Sequence, residues 1–169
     1  MCEKTKMNYI VDGYNLAFKI EQSSQKLKDG QTDLVIKQVV HFVKSGIKNQ
    51  RSKIIIVFDG QANTRSAKTS YSGISLLFSK RPQTADDIIR DFIRKTKNIG
   101  KWTVVSSDNE ILFTAQDHGA QTMKVTEFIQ MRNKLLLGQR KLSGNFNKQN
   151  PQNIDVEYWR QLFNSGNDS

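Results

Sequence analysis

Five consecutive apolar side chains, Ile54-Ile55-Ile56-Val57-Phe58, constrain the fold of this chain more than any other run. Side chains of a strand alternate between two faces, so an unbroken apolar run must be covered on both. That predicts a central strand, over Lys53 to Phe58, in a sheet with helices on either side. Two further β-forming runs, Asn8 to Asp12 and Trp102 to Ser106, are separated from it by helical patterns. Alternation of strand and helix predicts an α/β domain with a mainly parallel central sheet.

The segments between follow the same logic. A short helix is expected over Gly13 to Phe18, and polar residues from Glu21 to Gln31 read as a loop. Thr32 is the expected N-cap of a helix whose stripe is Val35, Val39, Val43 and Ile47. Residues Gly60 to Ser72 carry no helical stripe, and Gly73 to Phe78 reads as a third strand. A basic turn then leads to a helix beginning at Thr84, with Ile88, Ile89, Phe92 and Ile93 on its apolar face. Helices are also expected from Asp108 to Asp117, with Gly119 as the stop, and from Thr126 to Leu137. A short strand over Ala120 to Val125 lies between them. Beyond Gly138 the chain turns rich in Gly, Asn, Gln and Lys, and Val156, Trp159, Leu162 and Phe163 recur at helical spacing. The expected organisation is a domain over residues 1–137, then a basic polar connector and short C-terminal helix over 138–169.

Three of these strands end at an aspartate: Asp12, Asp59 and, two residues past Ser106, Asp108. A fourth acidic element, Asp86-Asp87, opens the Thr84 helix. Open parallel sheets bind ligands outside the carboxyl ends of their strands. Two carboxylates about 4 Å apart repel by roughly 4 kcal/mol at an effective dielectric near 20. A cluster of them needs raised pKa values or a cation, and a hard divalent ion such as Mg²⁺ suits oxygen ligands. Each aspartate also has a bland explanation. Asp12-Gly13 and Asp59-Gly60 are turn chemistry, and Thr84 with Asp87 makes a capping box. Ser107 with Glu110 makes another, so Glu110 reads as a cap. Asn15 and the Ser106 hydroxyl are placed to orient water or a phosphate oxygen.

Lys and Arg number 26 against 16 Asp and Glu, for a net charge of +10, which favours an anionic partner and above all nucleic acid. Cys2 is the only cysteine, so internal disulfides and Cys-based zinc sites are excluded, and a reducing cytoplasm is the expected compartment. No signal region or bilayer-spanning run is present in the sequence, and no membrane partner is expected. His41 and His118 sit within and at the end of helices, a poor basis for a catalytic pair. No Walker loop, GxGxxG or nucleophile elbow follows any strand.

At Val11-Asp12-Gly13-Tyr14-Asn15, Val57-Phe58-Asp59-Gly60, Thr84-Ala85-Asp86-Asp87 and Ser106-Ser107-Asp108, the chain resembles the NYN domain family in its bacterial YacP-like branch. His118-Gly119-Ala120 looks like the branch's Gly-Ala element, and the motifs cover about Asn8 to Thr126. The resemblance implies a PIN-like Rossmannoid sheet and a metal-dependent ribonuclease. Its matching positions are Asp12, Asn15, Asp59, Asp86, Asp87 and Asp108.

The expected reaction is hydrolysis of RNA phosphodiester bonds by an endonuclease. Mg²⁺ or Mn²⁺ would be held by Asp12, Asp86 and Asp108, with Asp59 and Asp87 completing the cluster. An acidic site must be ringed by cations to admit RNA, and Arg65, Lys68, Lys80 and Arg81 are the candidates near the strand ends. Tyr71 is a candidate base-stacking residue. Residues 118–150 carry six cations and one acid, including Lys124 and Arg132 as further RNA contacts. The expected partner is RNA, single-stranded or messenger, free or carried on a larger particle such as the ribosome. Competing readings are a non-catalytic RNA-binding module and a PIN-like structure-specific DNA nuclease. Trp102 and Trp159 read as core or docking residues.

Overall fold

The structure, a computed structural model, describes residues 6–49, 51–60 and 68–143. Among them a six-stranded sheet runs in the order β3-β4-β2-β1-β5-β6. Its strands are β1 (Asn8–Asp12), β2 (Ile54–Phe58), β3 (Lys68–Tyr71), β4 (Ile74–Phe78), β5 (Trp102–Ser106) and β6 (Gln121–Lys124). Every pairing is parallel except β3 with β4. The α/β expectation holds, with β2 and β1 at the centre as the apolar runs require. The edge strand β3 falls within the segment read as irregular. Its sequence, Lys-Thr-Ser-Tyr, is polar because three of its four residues are exposed.

The helices are α1 (Gly13–Lys19), α2 (Glu21–Lys28), α3 (Thr32–Gly46), α4 (Ala85–Lys95), α5 (Asn109–Asp117) and α6 (Val125–Ser143), with a 3₁₀ turn at Ile99–Lys101. They cover both faces of the sheet. Leu16, Val35, Val39, Val43 and Phe128 from α1, α3 and α6 pack with Val11, Ile56 and Val105 on one face. Ile89, Ile93, Ile111 and Ala115 from α4 and α5 pack with Ile10, Val57 and Val104 on the other. Trp102 is a core residue, edge-on to Phe92 at 4.6 Å between centroids.

Four local expectations change. The stretch Glu21 to Lys28 is a helix, not a loop. It has a single apolar side chain, Leu27, so its docking rests on that residue, on Ile20 just before it, and on buried Ser23, which donates to Gln38 Oε1 at 3.0 Å. Thr32 does not cap α3, because the helix already includes it and Gln31 stands at the N-cap without a side-chain bond. Asp108, not Ser107, caps α5 through Glu110 N–H, and Glu110 pairs with Arg90 at 3.1 Å instead. The helix α6 runs on through Gly138 to Ser143, into the segment read as connector. At Gly119 the expected stop is present, with φ of 85° after the C-cap His118.

The chain divides into two compact units, Met1–Leu137 and Gly138–Ser169. The expected C-terminal helix around Trp159 lies outside the described residues. Among the described residues no helix is long and apolar enough to cross a membrane.

Candidate active site

The register of the parallel strands decides which side chains meet. Asp12 pairs with Val57, one residue before Phe58, and Val57 in turn pairs with Leu77 of β4. Val11 pairs with Val105, one residue before Ser106, and Ser106 pairs with Lys124. The carboxyl ends of β4, β2, β1, β5 and β6 therefore form one edge. Asp59, Ser79, Asp12, Ser106 and Lys124 stand along it.

Asp12 is the most buried of the acids, at 5% exposure, and it caps α1. Asn15 grips both of its oxygens: the backbone N–H donates to Oδ1 at 3.1 Å and Nδ2 donates to Oδ2 at 2.5 Å. The same Asn15 Nδ2 reaches Ser106 Oγ at 3.5 Å, and Asp108 N–H donates to that oxygen at 3.1 Å. Ser106, fully buried, thus links the end of β1 to the start of α5. Gly13 makes this turn possible by a close approach, not by an unusual backbone angle. A Cβ there would overlap the edge of the Phe58 ring at Cε1 and Cδ1. The Phe58 ring also packs edge-on to Tyr14 and parallel to Phe78.

Asp59 is more exposed and does a different job. Its Oδ1 accepts from Ser79 Oγ at 2.7 Å and from Ala85 N–H at 3.0 Å. Ser79 Oγ in turn accepts from Gly60 N–H at 2.8 Å. One carboxylate therefore pins the ends of β2 and β4 to the first turn of α4, and that turn carries Asp86. Asp87 is taken up by the capping box, where its Oδ2 accepts from Thr84 N–H and Thr84 Oγ1, both at 2.9 Å. Those bonds hold its pKa below the ordinary carboxylate value.

The acids repel one another. Burial pushes the Asp12 pKa up to about 6, against the lowering effect of the Asn15 bonds, and the charges of Asp86 and Asp59 push the same way. Asp86 is also raised, by burial first and then by Asp108, Asp59 and Asp87, with Arg90 opposing. Asp86 thus lies within electrostatic reach of every other acid in the set. No three acidic, histidine or cysteine side chains among the described residues are arranged to ligate one ion as they stand. The donor set nonetheless fits a hard divalent ion. Its donors are carboxylate, amide and hydroxyl oxygens, no cation is among the groups setting the pKa of Asp12, and Mg²⁺ needs only one or two carboxylates beside its waters.

Asp12, Asn15, Asp59, Ala85 and Asp86 line a cleft of about 490 Å³ together with Tyr14, Phe18, Leu27 and Lys28. The last three come from α1 and α2, and nothing in the motif pattern selects them. Phe18 shares a helix face with Tyr14 and Asn15 at i+4 and i+3, the one signal that would have found it.

The expected RNA contacts scatter. Lys80 and Arg81 are exposed in the turn just after Ser79, beside the carboxylates. Lys68 pairs with Leu77, at the same edge, and Lys124 pairs with Ser106 there. Tyr71, at 45% exposure, pairs with Ile74 at the opposite end of β4, away from the carboxylates, because β3 runs antiparallel. Arg132 belongs to the α3–α6 face. It donates to Ser45 Oγ at 2.7 Å and lies 3.9 Å above the Phe42 ring. Arg65 lies outside the described residues.

No curated protein matches the chain. Among solved structures it is similar to Rae1 (YacP) from Bacillus subtilis, with 17% identity over 94% of this chain and 91% of that one, and a TM-score of 0.63. A point mutant of that same Bacillus subtilis protein gives 20% identity over 83% and 86% of the two chains, also with a TM-score of 0.63. These likenesses establish a shared α/β fold. A family profile described as YacP-like NYN domain matches residues 9–161, most of the chain and all of the strand-end acids. The chain belongs to the YacP-like NYN domain family, a branch of the PIN-like nucleases.

Proposed function

We propose that this protein is a divalent-metal-dependent endoribonuclease that hydrolyses phosphodiester bonds in the cleft at the carboxyl edge of its sheet. The observation that carries the proposal is Asp12: a buried carboxylate, raised to about 6, beside the like charges of Asp86 and Asp59 and, among the described residues, in no salt bridge. Burying a charge beside like charges is costly, and a bound cation offsets that cost. A basic chain of net charge +10 supplies the attraction for RNA that such a site lacks.

Asp12, Asp86 and Asp108 would hold the Mg²⁺ or Mn²⁺. When bound, the ion supplies positive charge for the phosphate oxygens and lowers the pKa of a water. The rest falls to the chain. Asn15 keeps both Asp12 oxygens oriented, and Ser106 ties Asn15 to the Asp108 turn. Asp59 acts at one remove, by fixing the first turn of α4 and hence Asp86. Asp87 serves that same turn as a cap. Lys80, Arg81, Lys68 and Lys124 stand at the edge where a phosphate backbone would pass.

The test is cleavage of matched single-stranded RNA and DNA in Mg²⁺, Mn²⁺ or EDTA, with wild type and Asp86→Asn. RNA cleavage that needs the ion and falls at least a hundredfold in the variant, with RNA binding retained, is the expected result. Cleavage that persists in EDTA would overturn the metal requirement. Cleavage of DNA at the same rate as RNA would make the protein a DNA nuclease, and none on any substrate would leave only RNA binding.

A further inference from the structure

We infer that Phe18 and Lys28 form the substrate-positioning wall of the cleft, with an unpaired nucleobase stacked on Phe18 and an adjacent phosphate held by Lys28. This rests on the nuclease reading above and names the form of nucleic acid the cleft takes. Phe18 is 61% exposed, although a phenyl ring is among the most favourable groups to bury. Among the described residues, the other exposed large hydrophobics are Leu34, Tyr71, Phe113 and Leu137, and none of them lines the carboxylate cleft. The exposed ring thus coincides with the reactive site.

Placement on α1 sharpens the point. Asp12 caps this helix, Asn15 holds Asp12, and Phe18 follows Asn15 by three residues on the same face. At about 1.5 Å of rise per residue, Phe18 stands roughly 9 Å along α1 from the cap Asp12 and about a turn beyond Asn15. A base stacked there leaves its own backbone within reach of Asp12 and Asp86. A paired base has both faces covered by its neighbours in the duplex, so such a platform selects an unstacked, single-stranded nucleotide.

Lys28 completes the wall. It is exposed, it lines the same cleft, and it forms no salt bridge with any described residue. Among the described residues no hydrogen bond or salt bridge ties its ammonium to Asp12, Asp59 or Asp86, so it stays available to a phosphate in the same cleft. Leu27 anchors this end of α2 in the core, and Ser23 ties the helix to α3. The wall is thus fixed from behind while its front stays bare. A cleft of about 490 Å³ lies within the range that takes a nucleotide-sized ligand.

The experiment uses the full chain and single-stranded oligoribonucleotides carrying one 2-aminopurine, scanned along the strand, in EDTA at low salt so that nothing is cleaved. Wild type should quench the fluorescence at one register. Phe18→Ala should lose the quench and weaken binding on the order of tenfold, whereas Phe18→Trp should keep both. Lys28→Gln should keep the quench and reduce the salt dependence of binding by about one phosphate. An unchanged thermal midpoint for Phe18→Ala separates loss of contact from loss of fold. An unquenched wild-type complex, or equal quench and affinity in Phe18→Ala, would overturn the inference. Neither result touches the metal reading, which stands or falls on cleavage by wild type and Asp86→Asn.

Discussion

Two walls of different chemistry line the cleft: the carboxylates Asp12 and Asp59 at strand ends with Asp86 at the start of α4, and the side chains Phe18, Leu27 and Lys28 from α1 and α2. The first wall is heavily tied. Asn15, Ser79, Thr84 and the turn amides of Ala85 and Glu110 between them hold the carboxylates of Asp12, Asp59, Asp87 and Asp108 by short bonds, and Asp86 sits in the turn so fixed. Of the second wall, Phe18 rides on α1, whose Leu16 and Ala17 are in the core, whereas the α2 part rests on Ile20, Leu27 and one side-chain bond, Ser23 to Gln38. Chemistry needs carboxylates fixed to fractions of an ångström, whereas binding a flexible strand tolerates an adjustable partner. The rigid wall carries electrostatic repulsion, and the looser wall carries exposed apolar surface. Both are costs to the folded state that substrate or an ion would relieve.

The largest effect belongs to Asp12. Its folded pKa of about 6 lies above its unfolded value of 3.8, so the folded protein binds the proton more tightly. That favours folding below about pH 4, and the advantage is lost as pH rises through 6. Ionising Asp12 therefore costs the metal-free protein about 3 kcal/mol above that range. Asp12→Asn should abolish cleavage and raise the thermal midpoint at pH 7.5 in EDTA, while gaining little at pH 4. A midpoint that falls at pH 7.5 would mean that Asp12 is structural and the two walls do not differ as described. Cleavage by wild type at limiting Mn²⁺ should decline below about pH 6, where proton and ion compete for Asp12, and saturating Mn²⁺ should move that decline to lower pH, read from initial rates.

Gly13→Ala comes next. The added Cβ would run into the buried Phe58 ring, and that ring is held between Tyr14 and Phe78. Overpacking of this kind costs about 1–3 kcal/mol, and the shift would displace Asp12 and Asn15 together. Chemical denaturation should show the loss, with kcat falling more than KM rises. Unchanged stability would mean that Phe58 has room the packing does not show.

Asp59→Ala should cost about 1–3 kcal/mol, since it strips the partner from buried Ser79 and from the Ala85 amide. Its effect on cleavage should pass through Asp86. The signature is therefore a lower kcat with the metal requirement intact, measured by titrating Mn²⁺ against rate. Complete loss of activity equal to that of Asp86→Asn would instead place Asp59 among the ligands.

The rigid wall was legible in the sequence and the loose one was not, and the reason is physical. Apolar runs that end in aspartate announce both the strands and their carboxyl edge, because strand burial and turn chemistry are local properties. The capping box at Thr84 and Asp87 is likewise written in four adjacent residues. The helix α2 gives no such signal. In Glu-Gln-Ser-Ser-Gln-Lys-Leu-Lys the helix stands on tertiary contacts that periodicity does not report. Nor does a polar edge strand such as β3 declare itself, and with it went the position of Tyr71, carried to the far end by an antiparallel pairing. The mutual bonding of Asn15, Ser106 and Asp108 depends on the β1–β5 register, which no single segment encodes.

The smallest expected effect tests the loose wall itself. Ser23 is fully buried, and its hydroxyl satisfies Gln38 Oε1 at 3.0 Å. Ser23→Ala leaves that acceptor without its donor at a cost of about 1 kcal/mol, and it releases α2 from α3 at the only side-chain bond between them among the described residues. Leu27 still holds the helix in the core, so the fold survives. The position of Lys28 becomes less defined while Phe18 stays with α1, and substrate binding must then bear the entropy of ordering the lysine. A rise in KM of a fewfold with kcat unchanged follows, checked by initial rates on a single-stranded RNA. The carboxylates lie on other elements and keep their geometry, so a fall in kcat at constant KM would show that α2 reaches the chemistry and that the two walls act as one.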